Sequence, residues 1–354
     1  MDFKQLNLQK LHDNVTIMGK VKVGIIGSTG YTGMELIKIL NNHPKTEIIF
    51  LGANTLYGKN LSTLLPNVKL EKNIRIRKNS EIYKIKNIDL IFSCLPNGQL
   101  DSILNRLKKL NAKIIDISSD YRLPKRYNDR WYGKRKNESE YKNFQYILPE
   151  LNKNSINKKK DIANPGCYAT SILLGLAPII SILKKNESII VDCKSGISGA
   201  GRSGRIEHIF SEANENLSIY NAGAHRHMPE VENMVNKIAK KTINVFMVPH
   251  LIPVTRGIMS NIYIKRGSPY DMRKILKLFN DFYLKSDFVK FSKTKLPSLK
   301  DVQFTNFCNI GINLFGDKRT LLICSVIDNL IKGASGQAVQ NMNLIFNFDE
   351  KLGL

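Results

Sequence analysis

At 354 residues the chain is too long for one typical core, so two domains are expected. Its 42% hydrophobic and 24% charged residues are ordinary for a globular protein, and the best apolar run, residues 172–183, is short and broken by Pro178, which excludes a membrane-spanning helix. The formal net charge of +24 favours anionic ligands, but its Lys and Arg are scattered rather than gathered into a stripe, which argues for coding bias and against a nucleic-acid partner.

Residues 1–17 mix acidic and basic side chains without an apolar centre and read as an N-terminal arm, not a secretory leader. Val21–Ile26 has strand character. Gly27, Gly30 and Gly33 follow, and then Met34, Leu36, Ile37, Ile39 and Leu40 recur at helical spacing up to His43-Pro44. A strand, a glycine turn and a helix suit a dinucleotide. Gly27, Ser28, Thr29, Gly30, Tyr31, Thr32 and Gly33 would bring backbone against the pyrophosphate, with the helix offering its free N–H groups. The spacing is GxxGxxG rather than the commoner GxGxxG, so an ordinary βα turn is the competing reading.

The second strand, Glu47–Ala53, ends without an Asp or Glu to bind an adenine ribose. Asn54 and Thr55 are neutral and Lys59 is close, which points to NADP(H). Residues 87–98 and 112–123 each carry a buried strand running into a polar turn. Ligands gather at the carboxyl ends of such strands, which selects Ser93, Pro96, Ser119 and Arg122. Cys94 reads as packing. Residues 124–160 are polar and irregular and read as a surface excursion.

Cys167 follows Asn164-Pro165-Gly166 and opens an apolar helix. A helix N-terminus favours a thiolate, and its free N–H groups can hold an oxyanion, so one position offers both a nucleophile and an oxyanion hole. A buried structural cysteine is the alternative. Residues 188–205 form a strand leading into a glycine- and serine-rich segment. Ser195, Gly196, Ser198 and Gly199 can approach a ligand there, and Arg202 and Arg205 can fork onto phosphate or carboxylate. His225 and His227 lie just ahead of a helix beginning near Pro229, placed for proton transfer. The five cysteines form no CxxC pair, and no Cys or His spacing suggests a metal; the pattern suits a reducing cytoplasm. Residues 246–264 read as a strand pair in which Arg256 can clamp an acidic substrate. The segment 324–343 returns to small residues and amides, Asn329 among them, before a final helix.

"VGIIGSTGYTGMEL", "NPGCYAT", "SGISGAGR", "HRHMPE", "PHLIPVTRGI" and "DNLIKGASGQAVQNMN", in this order, resemble the N-acetyl-γ-glutamyl-phosphate reductase family of arginine biosynthesis. The resemblance runs from about Lys20 to the C-terminus. It implies an α/β fold: a Rossmann-type NADP-binding domain and an α+β catalytic domain of the glyceraldehyde-3-phosphate and aspartate-semialdehyde dehydrogenase type. The expected division is 18–165, completed by 330–354, and 166–329. By the same resemblance Cys167 is the nucleophile, His227 the general acid/base and His225 a substrate contact. The substrates are an acyl phosphate and, in reverse, inorganic phosphate, and the protein is a homo-oligomer, dimer or tetramer. A reductase for the aminoadipyl homologue in lysine biosynthesis and aspartate-semialdehyde dehydrogenase are the nearest alternatives. A basic nucleic-acid-binding protein and an inactive NADP-binding regulator are the alternatives from other classes.

Overall fold

The computed structural model describes residues 19–185, 187–202 and 206–354, so the N-terminal arm lies outside the described residues. Seven strands form the first sheet: β1 (Val21–Ile26), β2 (Thr46–Ala53), β3 (Arg77–Lys78), β4 (Leu90–Ser93), β5 (Lys113–Asp116), β6 (Phe144–Tyr146) and β7 (Asp161–Ala163). Their order is β3-β2-β1-β4-β5-β7-β6 and every pairing is parallel. A parallel sheet is covered on both faces, which is why β1 and β4 are nearly continuous apolar runs. Helix α1 (Tyr31–Asn41) covers one face, and α2 (Gln99–Leu107) packs into the cluster on the other. The order reverses between β1 and β4. That switch point opens a crevice beyond the carboxyl ends of the strands.

The chain then enters α3 (Cys167–Leu176) and builds a second seven-stranded sheet. Its strands are β8 (Ser188–Gly196), β9 (Ser218–Ile219), β10 (Asn244–Ile252), β11 (Ile258–Lys265), β12 (Val289–Ser292), β13 (Cys308–Leu314) and β14 (Thr320–Ile327). They lie in the order β12-β13-β14-β11-β8-β10-β9, with parallel and antiparallel pairs mixed. Helices α3, α4 (Met228–Ala239) and α5 (Met272–Tyr283) bury one face of this sheet in the largest apolar cluster. The other face is only partly covered: Cys324 and Val326 on β14 pack with Val302, whereas Ile190 on β8 and Phe246 on β10 are about half exposed.

Two expectations need correction. The strands read in 246–264 are present but are not paired with each other. The connection after β10 wraps the end of β8, with Ile197 N–H donating to Val254 O and Gly196 N–H to Gly257 O, so β8 lies between β10 and β11. The excursion 124–160 also contributes β6 to the first sheet; a three-residue strand has too few positions for its period to show.

The last helix, α6 (Gly336–Ile345), returns to the first sheet. Ala338, Val339, Met342 and Ile345 are buried in the same cluster as Val23, Leu36 and Phe92. Among the described residues no helix is long and apolar enough to cross a membrane. Met342 is fully buried, so Met342→Ala is expected to destabilise the protein by about 2–5 kcal/mol in urea unfolding. A loss below about 1 kcal/mol would show that α6 is not an integral part of the first core.

Candidate active site

A cavity of about 1070 Å³ occupies the switch point and extends to the end of β8 and the start of α3. The glycine turn forms one wall. Gly27 has φ +76°, and a Cβ there would sit 2.6 Å from the Cys94 carbonyl, so the chain itself requires glycine. Gly33 likewise packs against the Ser28 carbonyl. Gly30 differs: a Cβ there would meet nothing closer than 3.7 Å, and it lines the cavity with Thr29, Tyr31 and Thr32. Helix α1 starts at Tyr31 with no side-chain cap, so its first N–H groups are left for a ligand. An uncovered glycine beside an uncapped helix start fits a dinucleotide pyrophosphate. Ser28 supports the turn from behind, its Oγ donating to Gly52 O at 2.9 Å.

Asn54 and Thr55 line the far end of the cavity, and no carboxylate stands at the end of β2. Asn54 accepts from Asn79 at 2.9 Å, and Asn79 accepts from Gly27 N–H at 3.1 Å. Asn79 therefore links the turn to the end of β2, a role without a sequence signal. Besides Ser28 and Gly33, two more proposed cofactor residues lie outside the cavity lining. Lys59 is exposed and outside the cavity lining, and Ser93 is buried within the sheet with its hydroxyl unpartnered. Pro96, Ser195, Gly196, Ser198, Gly199 and Asn329 all line the cavity. Asn329 holds that wall by donating to Ser198 Oγ at 3.0 Å and accepting from Gly257 N–H at 2.7 Å.

Cys167 is the first residue of α3, and the cap residue, Gly166, brings no side chain of its own to the helix start. A carboxylate from another helix takes its place. Glu230, fully buried on α4, accepts from Gly166 N–H at 2.7 Å and from the Tyr146 hydroxyl at 2.8 Å. Its other oxygen lies 3.5 Å from the buried Arg122 guanidinium. Arg122 also donates to Ile117 O at 2.7 Å and lies 3.5 Å from His227 Nε2. A Cβ on Gly166 would sit 2.6 Å from that ring nitrogen, so the missing side chain lets His227 close on the cysteine loop. His225 Nδ1 accepts from His227 N–H at 3.1 Å, which places the proton of a neutral His225 ring on Nε2. His227 Nδ1 is buried without a hydrogen-bond partner.

The protonation states differ from expectation. Burial raises the Cys167 thiol above its ordinary range; Arg122 and the Tyr168 N–H pull it down only in part. Burial also drives His227 well below its usual range, with His225 and Arg122 adding to the effect, and lowers His225 to about 4. The free site thus holds a neutral thiol and neutral imidazoles. Burial first, and the neighbouring His225 and Arg122 after it, disfavour a charge on His227.

Three arginines line the cavity, Arg122, Arg202 and Arg226, against one carboxylate, Glu207, among the described lining residues. Arg226 was not foreseen, although it sits between the two histidines. Arg202 donates to Thr29 O at 2.7 Å and so reaches across to the glycine turn. Arg205 lies outside the described residues. Arg256 does not line the cavity: its Nε lies 2.8 Å from Asp328 Oδ2 and its Nη1 3.6 Å from Glu35, at the junction with α1. It is committed to that ion pair, not to a substrate clamp. Ser119 lines the cavity but donates to Asn97 at 2.7 Å. Tyr168 and Tyr220, also lining residues, share a hydroxyl contact of 3.0 Å beside His225. Among the described residues no group of three or more His, Cys, Asp or Glu could hold a metal ion.

Residues 22–159 match the family model described as semialdehyde dehydrogenase, NAD binding domain, and residues 167–329 match semialdehyde dehydrogenase, dimerisation domain. The chain is 40% identical over 338 residues to the N-acetyl-γ-glutamyl-phosphate reductase of Clostridium kluyveri, covering 94% of this chain and 98% of the relative. The enzymes of the same name from Geotalea daltonii and Vesicomyosocius okutanii are 39% and 42% identical with the same coverage. Among solved structures, aspartate semialdehyde dehydrogenase II of Vibrio cholerae superposes with a TM-score of 0.72 at 17% identity, over 93% of this chain and 98% of that one. The Candida albicans aspartate semialdehyde dehydrogenase with NADP gives 0.66 at 16% identity, over 92% and 97%. At such identity these structures establish the fold.

Because burial raises the thiol, alkylation of Cys167 by iodoacetamide in the free protein should keep accelerating above the ordinary thiol range of about 8.5. Arg122→Gln removes a cation that favours the thiolate and should move the profile further up. A rate that levels off below pH 8, or an unmoved profile in Arg122→Gln, would contradict this electrostatic picture.

Proposed function

The chain belongs to the N-acetyl-γ-glutamyl-phosphate reductase family, oxidoreductases acting on an acyl phosphate, and we propose that Cys167 and His227 carry its chemistry. The reaction is reduction of N-acetyl-L-glutamyl 5-phosphate to N-acetyl-L-glutamate 5-semialdehyde and inorganic phosphate. The observation that carries the assignment of the nucleophile is the position of Cys167. It lines an arginine-rich cavity at the first turn of a helix, with a histidine of the same cavity held beside its loop.

Cys167 Sγ attacks the acyl carbon and gives up its proton as the bond forms. Neutral His227 is competent to take a proton at that step, which a cationic ring is not. The oxyanion meets the first-turn N–H groups of α3, and Arg122 and Arg226 face the charge of the departing phosphate. A thioester on Cys167 remains. The glycine turn, Asn54, Asn79, Ser198 and Asn329 would hold NADPH, which when bound supplies the hydride that reduces the thioester. The oxyanion so formed collapses to the aldehyde, the bond to Cys167 Sγ breaks, and His227 returns its proton to the leaving thiolate.

The absence of a carboxylate at the end of β2 supports NADPH over NADH, since an acid there would repel a 2′-phosphate. The match to a dimerisation domain and the half-exposed Ile190 and Phe246 support pairing of two copies through the exposed β8–β10 part of the second sheet. All five cysteines are free, which suits a reducing compartment such as the cytoplasm.

The assay is phosphate-dependent reduction of NADP+ with N-acetylglutamate semialdehyde, the reverse reaction. Wild type should be active and Cys167→Ser inactive; activity surviving in Cys167→Ser would refute the assignment. His227→Asn should lower kcat by about 10²–10⁴. A small loss there with a large one in His225→Asn would exchange the two roles. NADP+ should be used well ahead of NAD+, and equal efficiency would defeat the cofactor reading.

A further inference from the structure

Lys332 is fully buried, a costly place for an ammonium. Its Nζ donates to Glu150 at 2.6 Å and to Gln340 on α6 at 2.7 Å, and stands 5.3 Å over the Phe288 ring. Burial pushes the Glu150 carboxyl up, but Lys332 and Gln340 more than offset this and hold it below its ordinary range. The pair lies outside the cavity lining and takes no part in the chemistry described above.

Lys332 belongs to a single π-turn, Ile331–Ser335, between β14 and α6. Gly333 N–H bonds to Asp328 O and Ser335 N–H to Leu330 O, both at 2.9 Å. Such turns are uncommon and recur at functional sites. This one touches both the cysteine segment and the glycine-turn helix. A Cβ on Gly333 would lie 2.8 Å from Cys167 Cβ, so the bare backbone of the turn rests on the cysteine. The Ala334 carbonyl accepts from Asn164, three residues before Cys167, at 3.2 Å. Ser335 Oγ donates to Thr32 O, at the start of α1, at 2.8 Å. The turn is thus a spacer between the cysteine and the glycine turn, and its only buried cation is anchored at Glu150 on the far side.

We propose that Lys332 is a positioning residue: its buried ion pair with Glu150 fixes the π-turn so that Gly333 seats Cys167 at a set distance from the start of α1. A buried ion pair adds little stability over an apolar isostere, whereas fixing a register is its best-attested use. The inference rests on reading Cys167 as the nucleophile.

The test uses the full-length enzyme with Lys332→Met, and with Lys332→Met combined with Glu150→Gln, which leaves no unpaired buried charge. Melting temperature, kcat, both KM values and the rate of Cys167 alkylation are compared with wild type. The double variant should fold and melt close to wild type, yet lose about 10–100-fold in kcat, the cost of a misplacement on the order of 1 Å. Its KM values should stay within about threefold, and the alkylation rate of Cys167 should change as well. Three results would overturn the proposal: a folded double variant with kcat within about twofold of wild type, a loss carried wholly by KM, or failure of both variants to fold. The last would make the pair a stability element. Activity that persists in Cys167→Ser defeats the nucleophile reading itself, and so separates the two failures.

Discussion

Everything at the reacting end of the cavity converges on the carboxylate of Glu230. It is fully buried, and a buried charge is tolerated only when it is bonded and paired. Its partners come from three distant stretches: Gly166 N–H at the cap of α3, the Tyr146 hydroxyl on β6, and Arg122 after β5. The same side chain stands in the first turn of α4, three residues after His227. One carboxylate therefore fixes the entry of the cysteine helix, the cation beside it and the start of the histidine helix. With Glu230 removed, Arg122 would be a buried cation without its counter-charge and the cap of α3 would lose its acceptor.

That constraint also accounts for the electrostatics. Arg122 shares Glu230, so its charge is only partly available to Cys167 and does not overcome the burial of the thiol. Burial, with His225 and the same guanidinium adding to it, disfavours a charge on His227. The resting site therefore disfavours charge at the cysteine and histidine, while Arg122 is held positive beside Glu230. It is arranged to receive an anion and to develop negative charge only as the substrate reacts. The other half of the site is backbone: the glycine turn at the carboxyl end of β1, faced by the loop after β8.

Much of this was legible in the sequence, because the signals were local. An apolar run, a glycine turn and a helical period specify β1 to α1 within about twenty residues. Cys167 at the head of an apolar helix is equally local. The failures are contacts made across the fold. Gly166 and Glu230 are 64 residues apart, and Tyr146 and Glu230 are 84 apart, so neither pair leaves a pattern in one stretch. Arg256 resembled a substrate clamp because its partner Asp328 is 72 residues away. Lys59 and Ser93 carry the signal of a place after or within a strand, yet one faces solvent and the other the sheet interior. The thiol follows the same rule: a helix N-terminus can be read from sequence, but the desolvation opposing it depends on Gly333 and other residues packed against the cysteine.

The central claim is that the acyl group passes through Cys167. The most direct measurement is mass spectrometry of the enzyme mixed with N-acetyl-L-glutamyl 5-phosphate in the absence of NADPH. The account predicts an acyl adduct confined to the peptide carrying Cys167 and discharged when NADPH is added. A fully active enzyme with no adduct, or one whose NADPH-sensitive adduct lies on another residue, would contradict it.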